Sequence, residues 1–349
     1  MNALKGLRAA FLIPVAILLF FPASGSGAEN IEETYARTVQ ALNQEGFAGI
    51  DKALSAFEGM IERDPGFVKA RLSVADAYLL KHEFSGKKDR GWLDAAVKHL
   101  DAAVTREPEN AAARFKRAVV RFSLEQQDAA VLDLRKSMEI SPSFLDARIL
   151  YLQHLLATRK SDEAVKFSES SLAFFPNDPA PLKAFGDTFF QAKEFGRALS
   201  FYKRVVPLVP KAPLTHLAMG KAYQNIQQCD PALDSFRKAL AQNPDLAEAH
   251  FGLAFCLGEK GRLKDAVGHM EAYVGKVPKD VSALNNLAIL YEQTGQNQKA
   301  RLAWLRVKQA SEDAAYRERA DQHLHKLLSA EKETPASPKA KGKNDEKPK

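Results

Sequence analysis

The chain has 349 residues, 46% of them hydrophobic, which is ample material for a continuous core. Its net charge of +7 does not mark a nucleic-acid binder. Lys5 and Arg8 carry part of the excess, and the tail from Lys332 to Lys349 carries most of the rest. The body between them is close to neutral, whereas phosphate recognition needs a basic footprint on the fold itself.

Residues 1–28 form a segment of their own. Lys5 and Arg8 precede an apolar run from Ala9 to Phe21, broken only by Pro14, and Ser26-Gly27-Ala28 follows as a small-residue cleavage pattern. The run is shorter than the roughly 20 residues needed to span a bilayer. A cleaved signal peptide is therefore expected, placing the mature chain in the periplasm; an uncleaved inner-membrane anchor is the alternative. No cysteine near the cleavage site could accept a lipid.

Beyond it a period governs the chain. Ala53, Ala96, Ala130, Ala164, Ala198, Ala232, Ala266 and Ala300 recur, with a constant step of 34 residues from Ala96 onward. A proline follows twelve residues after each of the first seven: Pro65, Pro108, Pro142, Pro176, Pro210, Pro244 and Pro278. A fixed period of this size marks a stack of identical supersecondary units.

Within each unit the apolar spacing predicts two helices joined by a short turn. In 213–246, Met219, Gly220 and Tyr223 lie on the first helix, and Ala232, Phe236 and Ala239 on the second. Asp230-Pro231 reads as a helix start, and Asn243-Pro244 as a stop. Pro207 predicts an early end for the second helix of 179–212. Glu83 to Gly91 is read as an insertion in the turn of 68–110, with Lys87, Lys88 and Arg90 beside Phe84 and Trp92. Arg117 and Arg121 occupy positions that are usually core, as do Ser168 and Ser171.

These residues resemble the tetratricopeptide repeat, and the leader adds the expectation of an exported bacterial member. The resemblance implies an all-α, right-handed α-solenoid of about eight helix-turn-helix repeats. They run 34–67, 68–110, 111–144, 145–178, 179–212, 213–246, 247–280 and 281–314, within a solenoid domain at 29–331. A capping helix is expected over 315–331. The lysine- and proline-rich tail, 332–349, has no apolar anchors and is expected to be disordered.

No catalytic motif occurs: there is no G-x-S-x-G, Walker loop, H-E-x-x-H or C-x-x-C. The expectation is a protein that is not an enzyme and uses no cofactor or metal. His216 and His250 share a repeat position and are read as packing residues rather than a ligand pair. His323 and His325 are two apart on a helix and point to different sides. Cys229 and Cys256 could meet across neighbouring repeats and form a disulfide, two buried free thiols being the alternative.

In the resembled family the first helices line a concave groove. Carried onto this chain, the lining includes Leu72, Phe115, Val119, Phe122, Ile149, Phe190, Leu217, Phe251 and Phe255. Polar members such as Asp76, Lys183, Asp187, Lys221 and Glu248 lie between them. The resemblance implies a non-enzymatic protein–protein interaction scaffold in the bacterial cell envelope, binding extended or helical peptide segments of other proteins. The rival reading of these positions is burial against neighbouring repeats. The lysine–asparagine set that clamps a terminal carboxylate in some relatives is not reproduced, because Asp187 stands where asparagine is expected after Lys183. The alternative task is as an accessory subunit of a glycan synthesis or export complex, or of a pilus or secretion assembly. Nucleic acid is not an expected partner; the lysine-rich tail could touch a membrane or cell-wall polymer peripherally.

Overall fold

The computed structural model describes residues 30–86 and 89–333, and every described element is helical. The leader, the tail beyond Glu333, and Lys87 and Lys88 of the insertion lie outside the described residues.

The helices come as successive pairs. α1 (Ile31–Glu45) and α2 (Ile50–Arg63) are joined by a 3-10 turn at Gly46–Gly49. α3 (Val68–Phe84) pairs with α4 (Gly91–Arg106), α5 (Ala111–Ser123) with α6 (Gln127–Ile140), and α7 (Leu145–Ala157) with α8 (Ser161–Ser171). α9 (Pro179–Gln191) precedes α10 (Phe195–Val205). α11 (Pro213–Asn225) pairs with α12 (Cys229–Gln242), α13 (Ala247–Glu259) with α14 (Leu263–Lys276), and α15 (Val281–Gln293) with α16 (Asn297–Ala310). α17 (Ala314–Glu333) packs on α16. The chain divides into two compact units, 1–197 and 198–349, with the boundary inside α10.

Local chemistry explains this regularity. Asn110, Asp178 and Asp280 each cap a first helix, their side-chain oxygens accepting a backbone N–H of its first turn. The turn inside each pair closes through one left-handed residue. Glu125, Arg159, Lys193, Gln227, Gly261 and Gly295 all have φ between 60° and 72°, and they recur every 34 residues. The next residue's N–H then reaches back to the helix's final turn, as from Gln228 to the Tyr223 carbonyl at 2.9 Å.

Second helices stop before the periodic prolines. Asn243, just ahead of Pro244, is extended at φ −145° because the proline ring disfavours the helical conformation of its predecessor. α10 stops at Val205, two residues before Pro207.

The recurring alanines are the closest packing points. Ala96, Ala130, Ala164, Ala198, Ala232, Ala266 and Ala300 are all fully buried, and a larger side chain there would force the helices apart.

In the first unit the core is built from Phe57, Met60, Leu93, Leu100 and Leu134, with Ala113 and Ala118 of α5 closing between them. In the second unit Phe236, Met270 and Trp304 lie in one continuous cluster. Burying a side chain of this size contributes about 2–3 kcal/mol.

Arg117 and Arg121, at core positions on α5, are accommodated by Asp133, which is only 3% exposed on α6. Asp133 accepts two bonds from Arg117, at 2.8 and 2.6 Å, and one from Arg121 at 2.7 Å. Asp101 on α4 adds a contact to Arg117 at 2.9 Å. Ser168 bonds to the Ala164 carbonyl, and Ser171 accepts from Arg148, so both buried serines are satisfied.

A second arginine device recurs at the fourth residue of several first helices. Arg71, Arg114 and Arg148 donate to the carbonyls of Pro65, Pro108 and Pro142, each six residues earlier.

Candidate interaction face

In each unit, adjacent first helices lie side by side, α3 along α5 and α7 along α9 in the first, α11 along α13 in the second. These neighbouring first helices share a face in each unit.

In the first unit that face is largely closed. Val119 and Phe122 are buried at 3% and 9% exposure, which corrects their reading as solvent-facing anchors. Lys116 bridges to Asp76 across α5 and α3 at 2.6 Å, beside Ala75, Leu79 and Val119. Phe122 packs on His154, ring centroids 5.3 Å apart. Burial lowers the affinity of His154 for a proton, and Lys160 adds to the effect.

Leu72, Phe115, Ile149 and Phe190 are half-buried. Phe115 leans on Phe144 at 5.1 Å and Phe190 on Phe195 at 5.2 Å, so both rings already have aromatic neighbours. Lys183 is occupied by Asp187 at 2.6 Å and offers no lone cation for a carboxylate.

The second unit is more open. Leu217 is buried at 5% exposure, so it too leaves the solvent-facing set. Phe251 is half-buried and turns toward Tyr273 of α14 at 5.1 Å. Tyr273 donates to Asp280 at 2.7 Å; burial and that carboxylate push its phenol up to about 12.

Phe255 stands out at 44% exposure, and Leu214 at 57%. Leu214 and Lys221 lie seven residues apart on one stripe of α11, as Glu248 and Phe255 do on α13. Lys221 and Glu248 join the stripes by a 2.8 Å ion pair. The result is a strip with an apolar side chain on each helix and one charge of each sign between them.

Cys229, half-buried at the start of α12, packs against the cluster that contains the fully buried Cys256 of α13. Both are free thiols.

The histidines pair differently from any reading of His216 with His250. His250 meets His269 of α14, the two Nδ1 atoms 3.0 Å apart. His216 is buried, and its Nδ1 has no hydrogen-bond partner. His323 contacts Glu292 at 2.8 Å, while His325 is exposed. Sequence reasoning passed over His269. Its signal was positional, since it follows Ala266 by three residues, facing the fourth position of the paired first helix, as Asp133 does after Ala130. Among the described residues no cluster of three metal-ligating side chains occurs, and no helix there is long and apolar enough to cross a membrane.

Comparison with known proteins agrees with this architecture. A family model for the tetratricopeptide repeat matches residues 87–143, 217–280 and 257–315. The chain is 33% identical over 101 residues to a small glutamine-rich tetratricopeptide repeat-containing protein of Mycosarcoma maydis, covering 29% of this chain and 28% of that protein. It is 22% identical over 239 residues to a peroxisomal targeting signal receptor of Kluyveromyces lactis, covering 65% of this chain and 39% of the receptor. In both cases the match spans well under half of the relative's length. Among solved structures, yeast Tom70 covers 90% of this chain at a TM-score of 0.53 and 14% identity, with 67% of that chain covered, a likeness of fold alone. The period, the helix pairs and these matches together establish that the chain belongs to the tetratricopeptide-repeat family.

Proposed function

We propose that the protein is a non-enzymatic interaction scaffold that docks an extended or helical segment of another protein on the first-helix face of its second unit. The observation that carries this reading is the strip of Leu214, Lys221, Glu248 and Phe255. Two large apolar side chains are held in water there on rigid helices, flanked by charges of both signs. Such a surface favours a segment that offers apolar anchors and a polar rim. Because the helices are preorganised, the ordering cost falls mainly on the ligand. Tetratricopeptide repeats are in general interaction modules, and one relative is named as a receptor for a targeting signal.

The proposed setting is the bacterial cell envelope. It is supported by the positively flanked apolar leader and its small-residue cleavage pattern.

The test is crosslinked co-purification from envelope fractions with Phe255→Glu and Leu214→Glu variants. Leu302→Glu, at an exposed site on second helix α16, serves as the control. Loss of a partner in the first two but not the third is expected. Equal recovery from all three would refute the first-helix face as the docking site.

A further inference from the structure

We propose that His250 and His269 chelate a late first-row transition-metal ion, Cu²⁺ or Ni²⁺, between α13 and α14. The site is independent of where a partner docks.

The register of the helix pairs brings these positions together. The fourth residue of a first helix faces the residue three after the periodic alanine on the second. In α5 and α6 those residues are Arg114 and Asp133, which approach to 3.8 Å. In α7 and α8 they are Arg148 and Phe167, the guanidinium 6.0 Å from the ring centroid. In α13 and α14 both are imidazoles, with Nδ1 atoms 3.0 Å apart and ring centroids 5.3 Å apart. Both residues are half-buried, so the pair is held by its helices yet open to solvent.

The separation suits one class of ion. Metal–imidazole bonds of about 2.0–2.1 Å put two nitrogens about 2.9 Å apart at a right angle, and about 3.3 Å apart at a tetrahedral one. The observed 3.0 Å lies near the right angle, the arrangement of adjacent ligands in the tetragonal sites of Cu²⁺ and Ni²⁺. Two protein ligands leave the other positions to water.

Both rings are in the form that ligates. Burial holds each below the usual histidine range; Lys276 adds to this for His250, and His250 and Arg237 for His269, against Asp265. Neutral imidazole is the metal-binding state. Lys276 is itself paired with Asp245 at 2.6 Å, which reduces its repulsion of an incoming cation. Of two neutral rings sharing this contact, one carries its proton on Nδ1 and the other accepts there. On binding, that proton passes through solvent to Nε2 of the same ring, with no net release. A small rotation of the rings then turns both Nδ1 lone pairs onto the ion.

The untagged full chain is titrated calorimetrically with Ni²⁺ alone, which leaves the thiols unoxidised, in a buffer that does not bind metal. One equivalent is expected on wild type. His250→Gln and His269→Gln should each weaken that binding by about 100-fold, because either ring makes the other's contact intramolecular. His325→Gln, at an exposed histidine on α17, should bind as wild type does. Circular dichroism checks that the variants fold. Pulsed electron paramagnetic resonance of wild type with sub-stoichiometric Cu²⁺ is expected to show two bound imidazoles, a readout that needs no variant. No Ni²⁺ binding by wild type would overturn the proposal. So would binding that survives either His250→Gln or His269→Gln, or a Cu²⁺ spectrum with a single imidazole.

Discussion

Phe236 and Gly252 interlock: a Cβ at Gly252 would lie 2.3 Å from the Phe236 ring. Gly220 bounds the ring's other edge, where a Cβ would fall 2.5 Å away. A fully buried ring held between two glycines has no room to retreat. Gly252→Ala is therefore expected to lower stability by about 1–3 kcal/mol through overpacking, outweighing the gain in helix propensity. Gly268→Ala on exposed α14, where a Cβ meets nothing within 4 Å, is expected to raise stability by up to about 1 kcal/mol. Urea unfolding of the two variants checks both signs.

The left-handed turn residues supply a second pair of opposite outcomes. Gln227 and Lys193 hold φ near 60° without being glycine, a conformation that costs a residue bearing a Cβ about 1–2 kcal/mol. Gln227→Gly and Lys193→Gly should each stabilise by about 0.5–1 kcal/mol, the unfolded chain's extra freedom taking back part of the gain. Gly261→Ala, at φ 71°, should destabilise by a similar amount. Thermal melts read both.

Asp133 serves two arginines at once, at 2.6 Å from Arg117 and 2.7 Å from Arg121. Asp133→Ala is expected to cost about 3–5 kcal/mol, because it strands guanidinium groups that are mostly removed from water. Replacing Arg117, Arg121 and Asp133 together by leucines should restore most of that loss. A triple variant as unstable as the single one would show that the network itself, and not its compensation, holds α5 against α6. The comparison is made by denaturant midpoint.

His250 and His269 should make the fold sensitive to acid. Burial holds both below the usual histidine range; Lys276 adds to this for His250, and His250 itself for His269, while Asp265 opposes it. Burial shifts His99, His154 and His216 in the same direction. An unfolded histidine takes a proton near pH 6.5, whereas these stay neutral in the fold. Below that pH the unfolded state binds more protons, so stability falls as pH drops. The urea midpoint should be lower at pH 5 than at pH 7.5, and His269→Gln should flatten that slope.

α17 closes the second unit over Trp304, which is fully buried, with His323 stacked on the indole at 4.3 Å. Terminal repeats need such a cover for their apolar face. A chain ending at residue 313 is expected to show a red-shifted Trp304 emission and a lower melting temperature. Trp92, the other tryptophan, gives a constant background.

The sequence by itself determined the repeat. The alanine and proline period reports backbone needs, close helix crossing and helix termination, which are local and recur in every unit. Tertiary structure decided what the same repeat position becomes. Val119 and Phe255 both sit ninth in a first helix, yet one is 3% exposed and the other 44%. Periodicity gives a side chain's phase on its own helix, not whether neighbours close over it. Lys116 and Asp76 pair beside Val119, while the strip around Phe255 stays open. Asp133 beneath two arginines and His269 against His250 were undecided for the same reason. Each depends on a contact between two helices, and only folding sets that distance.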